Sequence, residues 1–384
     1  MSHESPPGEH GFFRRNSGKF VLSAIITTLL LVTLSKGGMP LVPKATDFEH
    51  TRWWTVGAYF LTLPMWGYFR AVRWRFLLRG FRPIPLIKIL NVSWIGFAAI
   101  MLFPFRLGEF VRPLLLREKD DRDPNMVPSL VPGLPPRLSL TAATGTVVAE
   151  RVIDGLYLSL VLAAALLLAP TVSPLPERVP GLPKAISVEN VRHLGFVMLG
   201  IFSAALVVIA VYYFGRSFAR RITLAVVGVV SKKLANFLAN TAEKLADGLR
   251  AFSNPRDILG FLFETSLYWI PNALGMWLLA WGTGIVHADG SAITFLEACA
   301  LMGMLGITIL LPGPPGLLGV FQAGIFAGLA SYFPEHIILR EGAAYVFLMY
   351  TCQLVWSVLS AAICLRANQS AMASIRAEMA EPPH

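Results

Sequence analysis

Leu102-Phe-Pro-Phe-Arg-Leu-Gly-Glu-Phe-Val-Arg-Pro-Leu-Leu-Leu-Arg117 breaks into a strongly apolar chain with Arg106, Glu109 and Arg112, bracketed by Pro104 and Pro113. Proline has no N–H and disfavours helix in the residue before it. The pattern therefore predicts a short helical piece that starts near Pro104 and breaks near Arg112. On such a piece Arg106, Glu109 and Arg112 step three residues at a time, so neighbours reach each other. A charge at membrane depth costs about 2.5–3.5 kcal/mol on insertion scales. Two readings follow: a juxtamembrane turn whose charges sit in water, or a buried segment whose charges face a cavity, a partner or a ligand.

Composition makes the membrane the relevant solvent. The chain has 384 residues, 55% of them hydrophobic and 15% charged, against about 25% charged in an ordinary soluble domain. The mean hydropathy is +0.59. An all-α, polytopic transmembrane helix bundle is expected. The net charge of +10 is read through loop topology and not as a nucleic-acid footprint; no zinc-finger or RNA-binding motif accompanies it. Cys299, Cys352 and Cys364 lie in apolar runs without a Cys-x-x-Cys, and read as small buried residues. No pattern asks for a metal, a cofactor or a catalytic residue.

Outward from the opening stretch, about eight spans are expected, with a re-entrant hairpin at 85–116 and a helix break at 312–316. Residues 1–17 read as a polar tail, 18–366 as one transmembrane domain, and 367–384 as a C-terminal tail. The first spans are expected near 20–34, 53–69 and 85–103. Between the second and third, Arg70-Ala-Val-Arg-Trp-Arg-Phe-Leu-Leu-Arg-Gly-Phe-Arg82 has five arginines and no acid. This is the strongest positive-inside signal in the chain, and it reads as topology and head-group contact. It places the N-terminus in the cytoplasm.

Residues 117–144 form a charged, Pro-rich loop, too long for an ordinary connection. Both flanks of the hairpin are then cytoplasmic. Such a hairpin needs its tip covered by protein or a water-filled cavity. The fourth span, near 145–168, carries Glu150, Arg151 and Asp154 at its head. These charges need partners. Arg106 and Arg112 are the natural complement; a local Arg151–Asp154 pair is the alternative.

A span near 194–214 follows, and then 216–256. The segment from Gly215 to Arg256 has eight Lys or Arg and two acids. Leu234, Phe237, Leu238, Leu245, Leu249 and Phe252 recur there at helical steps, which predicts a cytoplasmic amphipathic helix on the membrane surface. Three further spans are expected near 258–281, 293–311 and 317–333, and a last one near 343–365. Pro271 interrupts the first of these. The Pro/Gly cluster Leu311-Pro-Gly-Pro-Pro-Gly-Leu-Leu-Gly319 stands before the third. Helix-breaking stretches in both halves point to a transporter-type site. Alternation places the C-terminus inside.

Three blocks carry a resemblance: Pro104-Phe-Arg-Leu-Gly-Glu-Phe-Val-Arg-Pro-Leu-Leu-Leu116, Glu150-Arg-Val-Ile-Asp154 and Pro312-Gly-Pro-Pro-Gly-Leu-Leu-Gly-Val-Phe-Gln322. Their order and spacing resemble the lysylphosphatidylglycerol synthase transmembrane-region family, also called flippase-like. The Arg70–Arg82 block is similar to a fourth. The resemblance implies a helix bundle in a bacterial or archaeal cytoplasmic membrane that handles phospholipids or lipid-linked substrates. In the best-known members this region moves an aminoacylated phospholipid between leaflets. The implied substrate-binding set is Arg106, Glu109, Arg112, Glu150, Arg151, Asp154, Pro315, Gly316 and Gln322. The family usually has an acid where this chain has Gln322, so a cation-binding or proton-relay role is not expected there. No soluble aminoacyl-transferase domain follows the last span, so the synthase reaction is not expected of this chain.

The alternative to translocation is a membrane-embedded glycosyl- or aminoacyl-transferase, or an accessory subunit of one. Asp121-Arg-Asp123 matches a metal–nucleotide-sugar pattern, but three residues in a charged loop match by chance. Expected partners are the lipid substrate and the membrane, and not nucleic acid. Gly303, Gly306, Gly319 and Gly324 allow close helix approach, within the chain, to a second copy, or to a separate enzyme.

Overall fold

A computed structural model describes residues 25, 28, 32, 40–81, 84–103, 108–116, 138, 140–180, 187–229, 231–250, 255–309 and 315–367. The expected first span, most of the Pro-rich loop with Asp121 and Asp123, Arg106, both tails and Pro312–Pro314 lie outside these residues. The described residues form helices and no strand; one isolated antiparallel bridge joins Val286 to Ala292.

The helices are α1 (Trp53–Val72), α2 (Trp74–Leu78), α3 (Leu86–Leu102), α4 (Val111–Leu116), α5 (Leu140–Leu168), α6 (Val188–Phe214), α7 (Arg216–Val227), α8 (Lys232–Arg250), α9 (Pro255–Gly282), α10 (Phe295–Thr308), α11 (Val320–Leu329), α12 (Glu335–Leu339) and α13 (Glu341–Ala367). Three stretches, Ala142–Leu168, Val188–Phe214 and Glu335–Arg366, are long and apolar enough to cross a membrane. α3, α10 and α11 are apolar but shorter. Helices α1 and α9 have the length but fall outside the three most apolar stretches. They continue through Pro64 and Pro271.

The main core lies where α1, α5, α9, α10, α11 and α13 converge, around Tyr59, Leu162, Met276, Leu301, Ile325 and Tyr345. A second core lies under the arginine-rich turn, where Trp74, Leu77, Ile89, Val147 and Phe261 pack together. Two of the suspected association glycines are used inside the chain. Gly303 and Gly306 sit on Leu162 and Leu158, where a Cβ would come within 2.6 and 2.4 Å.

The opening stretch does turn back on α3, but with different boundaries. The short helix does not break near Arg112; it begins at Val111, with Pro113 in its first turn. There the N–H that proline lacks has no helical acceptor in any case. The return is close. A Cβ on Gly108 would stand 2.1 Å from the Ala99 carbonyl carbon, and one on Gly96 2.2 Å from Arg112 Cγ. Only hydrogen atoms fit at these positions.

The second break lies beside the end of α3. Gly316 (φ 70°), Leu317 (φ 55°) and Gly319 (φ 86°) are all left-handed. Such angles stop a helix, and at leucine they are unfavourable. Tyr350 Oη donates to the Gly316 carbonyl at 2.9 Å. A Cβ on Gly316 would lie 3.7 Å from the Met101 carbonyl oxygen at the end of α3. The second irregular stretch therefore meets the end of α3.

The segment 216–256 carries the expected amphipathic helix, α8, and a second helix before it. Helix α8 packs on α5 and α6 through Ala235, Ala239, Ala242 and Ala246. Leu234 and Leu238, on the apolar face expected to meet the membrane surface, are exposed on the protein. Alanine lets helix axes approach closely, so these small side chains face the bundle, while Leu234 and Leu238 face outward. Arg216 and Arg220 of α7 hold Glu243 of α8 at 3.3 and 3.0 Å.

Gly108→Ala is expected to destabilise the protein by about 1–3 kcal/mol through backbone overlap. Gly57→Ala, where nothing lies within 4 Å, is expected to stabilise it by about 0.5–1 kcal/mol. Thermal unfolding midpoints in detergent check this; equal midpoints would reject the close return of the hairpin.

Candidate functional site

Glu150 and Asp154 stand one turn apart on α5 and face the same way. Glu150 is fully buried and Asp154 nearly so. Their principal partner is Arg73, at the junction of α1 and α2. Its Nη2 donates to Glu150 Oε1 and Asp154 Oδ2, both at 2.7 Å, and its Nη1 to Asp154 Oδ1 at 2.5 Å. The Nη1 also reaches the Thr265 hydroxyl at 3.2 Å. Arg112 of α4 donates to the other Glu150 oxygen at 3.0 Å. Arg151 closes the group, 3.3 Å from Glu150 and 3.4 Å from Asp154.

Aromatic faces complete the lining. The Arg112 guanidinium lies 4.1 Å from the Trp74 ring centre, and that of Arg73 lies 4.6 Å from Tyr268. Trp74 Nε1 is satisfied by Thr146 at 2.9 Å. Buried charge of this kind persists only when paired and hydrogen-bonded. Here each carboxylate oxygen has a cation.

Of the sequence-derived set, Arg112, Glu150, Arg151 and Asp154 come together. Both readings of the α5 charges hold at once: a long-range cluster and a local Arg151–Asp154 pair. Arg106 lies outside the described residues. Glu109 is half-buried, beside the hairpin turn. Pro315 opens the short 3₁₀ turn of the second break. Gln322 plays a different part. Its Oε1 accepts the Gly319 N–H at 2.6 Å, so it caps the start of α11.

Arg73 was missed, and the reading of its block is corrected. The arginines between 70 and 82 are not only a topology signal. Arg73 is wholly buried, Arg75 pairs with Glu264 at 3.2 Å and Arg79 with Asp257 at 2.9 Å. The available signal was the acids: Glu150, Asp154, Asp257 and Glu264 lie on apolar helices, with too few local cations to match them.

Beside the cluster is a cavity of about 130 Å³. Arg70, Arg151 and Asp154 line one side. Trp66, Trp269, Trp356, Leu63, Leu305 and Leu317 supply an apolar remainder, with Asn272, Gln353 and Ser357 among them. Its volume is several times the roughly 10–15 Å³ that one water needs by the same measure. It offers charge of both signs next to hydrocarbon, which suits an amphiphile.

Glu150→Gln is expected to cost about 3–5 kcal/mol, because Arg73 and Arg112 lose a shared buried counter-charge. Combined with Arg112→Gln it is expected to cost less than the sum of the single changes. Unfolding free energies of the two variants and the double variant test this; strict additivity would refute a common network.

The model of the family described as the lysylphosphatidylglycerol synthase TM region matches residues 19–361. No curated protein and no solved structure matches the chain. The match covers the charge cluster, the cavity and both helix breaks, and the chain belongs to the lysylphosphatidylglycerol synthase transmembrane-region family.

Proposed function

We propose that this protein moves a phospholipid or lipid-linked substrate between the leaflets of a bacterial cytoplasmic membrane. In this reading the chain has about eight spans and the hairpin of α3 and α4 is re-entrant. Both termini are cytoplasmic. Membership of a family tied to membrane lipid handling supports the reading. The observation that carries it is the cavity, where Arg151 and Asp154 face the same space as Trp269, Leu305 and Leu317. A head group crossing a bilayer needs a polar path, with cations for its phosphate and acids for any ammonium group. An acyl chain needs an apolar path beside it. The second helix break, which reaches the cavity at Leu317, fits, because discontinuous helices mark substrate sites in transporters.

The test is reconstitution into vesicles that carry a fluorescent phospholipid, with dithionite added outside. Label from the inner leaflet is expected to become accessible. Arg151→Gln is expected to slow this by about tenfold or more, since a charge-assisted hydrogen bond contributes about 1.5–3 kcal/mol. Protein-free rates across several head groups would reject transport. A covalently altered lipid in the same vesicles would favour the transferase alternative.

A further inference from the structure

Arg70 and Arg73 are one helical turn apart and are treated very differently. Both terminal nitrogens of Arg73 are paired with carboxylates, although its Nε, like that of Arg70, has no acceptor. Arg70 is 8% exposed, yet among the described residues it has no carboxylate, carbonyl or hydroxyl partner, and its Nε is enclosed without an acceptor. Its contacts are aromatic: the guanidinium lies 4.2 Å from the Phe97 ring centre and 5.1 Å from that of Trp66. Stacking steadies the cation but leaves its N–H donors unused. The side chain lines the cavity.

The surroundings do not neutralise it. Arg70, Arg73, Arg112 and Arg151 set four guanidiniums against the carboxylates Glu150 and Asp154, with Glu109 near enough to act on Arg151. Among these described residues, even with all three acids counted, one positive charge is left over. Asn272, also on the cavity wall, makes no hydrogen bond with its side chain among the described residues. An unpaired buried cation is costly, and one aimed into a cavity is suited to an anion that arrives from outside.

We infer that Arg70 is the coordinating cation of a phosphate oxyanion site in this cavity, with Asn272 as a second donor. The planar guanidinium matches a phosphate by paired hydrogen bonds. The choice of phosphate over another anion rests on the lipid reading above. A phosphodiester head group and free phosphate share this chemistry; the apolar wall at Leu63, Leu305 and Leu317 favours the head group.

The experiment uses the full chain in a neutral detergent and follows tryptophan fluorescence, since Trp66, Trp269 and Trp356 line the site. The probes are dihexanoyl phosphatidylglycerol, inorganic phosphate and uncharged dihexanoyl glycerol. Arg70→Gln is expected to weaken the phospholipid by about tenfold or more, and Arg70→Lys to weaken it less. Dihexanoyl glycerol is expected to bind wild type and both variants alike. Without ligand, Arg70→Gln is expected to unfold at the same or a higher temperature than wild type, because it removes an unpaired charge. Equal phospholipid affinity in wild type and Arg70→Gln overturns the inference. So does a lower ligand-free unfolding temperature in that variant, which would make Arg70 a structural strut. Inorganic phosphate that depends on Arg70 supports the oxyanion site; affinity equal to that of the phospholipid identifies free phosphate as the occupant, and much weaker affinity the head group. Binding at Arg70 without leaflet transfer leaves the site standing and rejects transport; transfer indifferent to Arg70 does the reverse.

Discussion

Glu150 and Asp154 cannot stay ionised inside an apolar bundle unless cations come to them. The cations come from elsewhere in the chain: Arg73 from the end of α1, and Arg112 from the hairpin. That demand couples three segments. α5 must lie beside the α1–α2 junction, and α4 must turn back far enough for Arg112 to reach Glu150. The glycines of the hairpin allow the second of these, because any larger side chain at Gly108 would meet α3 backbone. The aromatic residues Trp74, Phe97 and Tyr268 cover the guanidinium faces and keep the cluster from reopening to solvent.

The cluster also explains where the cavity lies. Its saturated members, Arg73 and Glu150, face one another and are closed off. Arg151 and Asp154 are shared between the cluster and the cavity, and Arg70 belongs to the cavity alone. A turn of helix thus separates a structural cation from one that is available. The far wall is built from Leu305, Leu317 and Phe321, and Leu317 reaches it in a left-handed conformation. Backbone of that kind persists only where its surroundings hold it; the Tyr350 hydrogen bond to the Gly316 carbonyl is one such restraint.

In α8 the alanines and the leucines serve different faces. Leucine at helical steps marks an apolar face, and it is natural to bury that face. The bundle buries the alanines instead, because α5 and α6 come too close for leucine. A bilayer removes the usual penalty for leaving leucine outside, since lipid is as apolar as leucine.

Composition and periodicity alone determined that the chain is helical and made for a membrane. They also placed α1, α3, α5, α6, α9, α10 and α13 to within a few residues at most ends, because an apolar run states its own length. The end of α3 near Phe103 and the left-handed turn at Gly316–Gly319 were legible for the same local reason: proline and glycine act where they stand. The Glu150, Arg151 and Asp154 group was legible because charge is rare in such a helix. What only the tertiary structure decided is which cation answers which acid. Arg73 lies 77 residues from Glu150, and Arg79 lies 178 from Asp257. Pairing over that distance leaves no spacing to read. A run of arginines looks the same whether it meets water, head groups or buried carboxylates. Only the docking of α1 against α5 separates Arg73, which is paired with two carboxylates, from Arg70, which is paired with none.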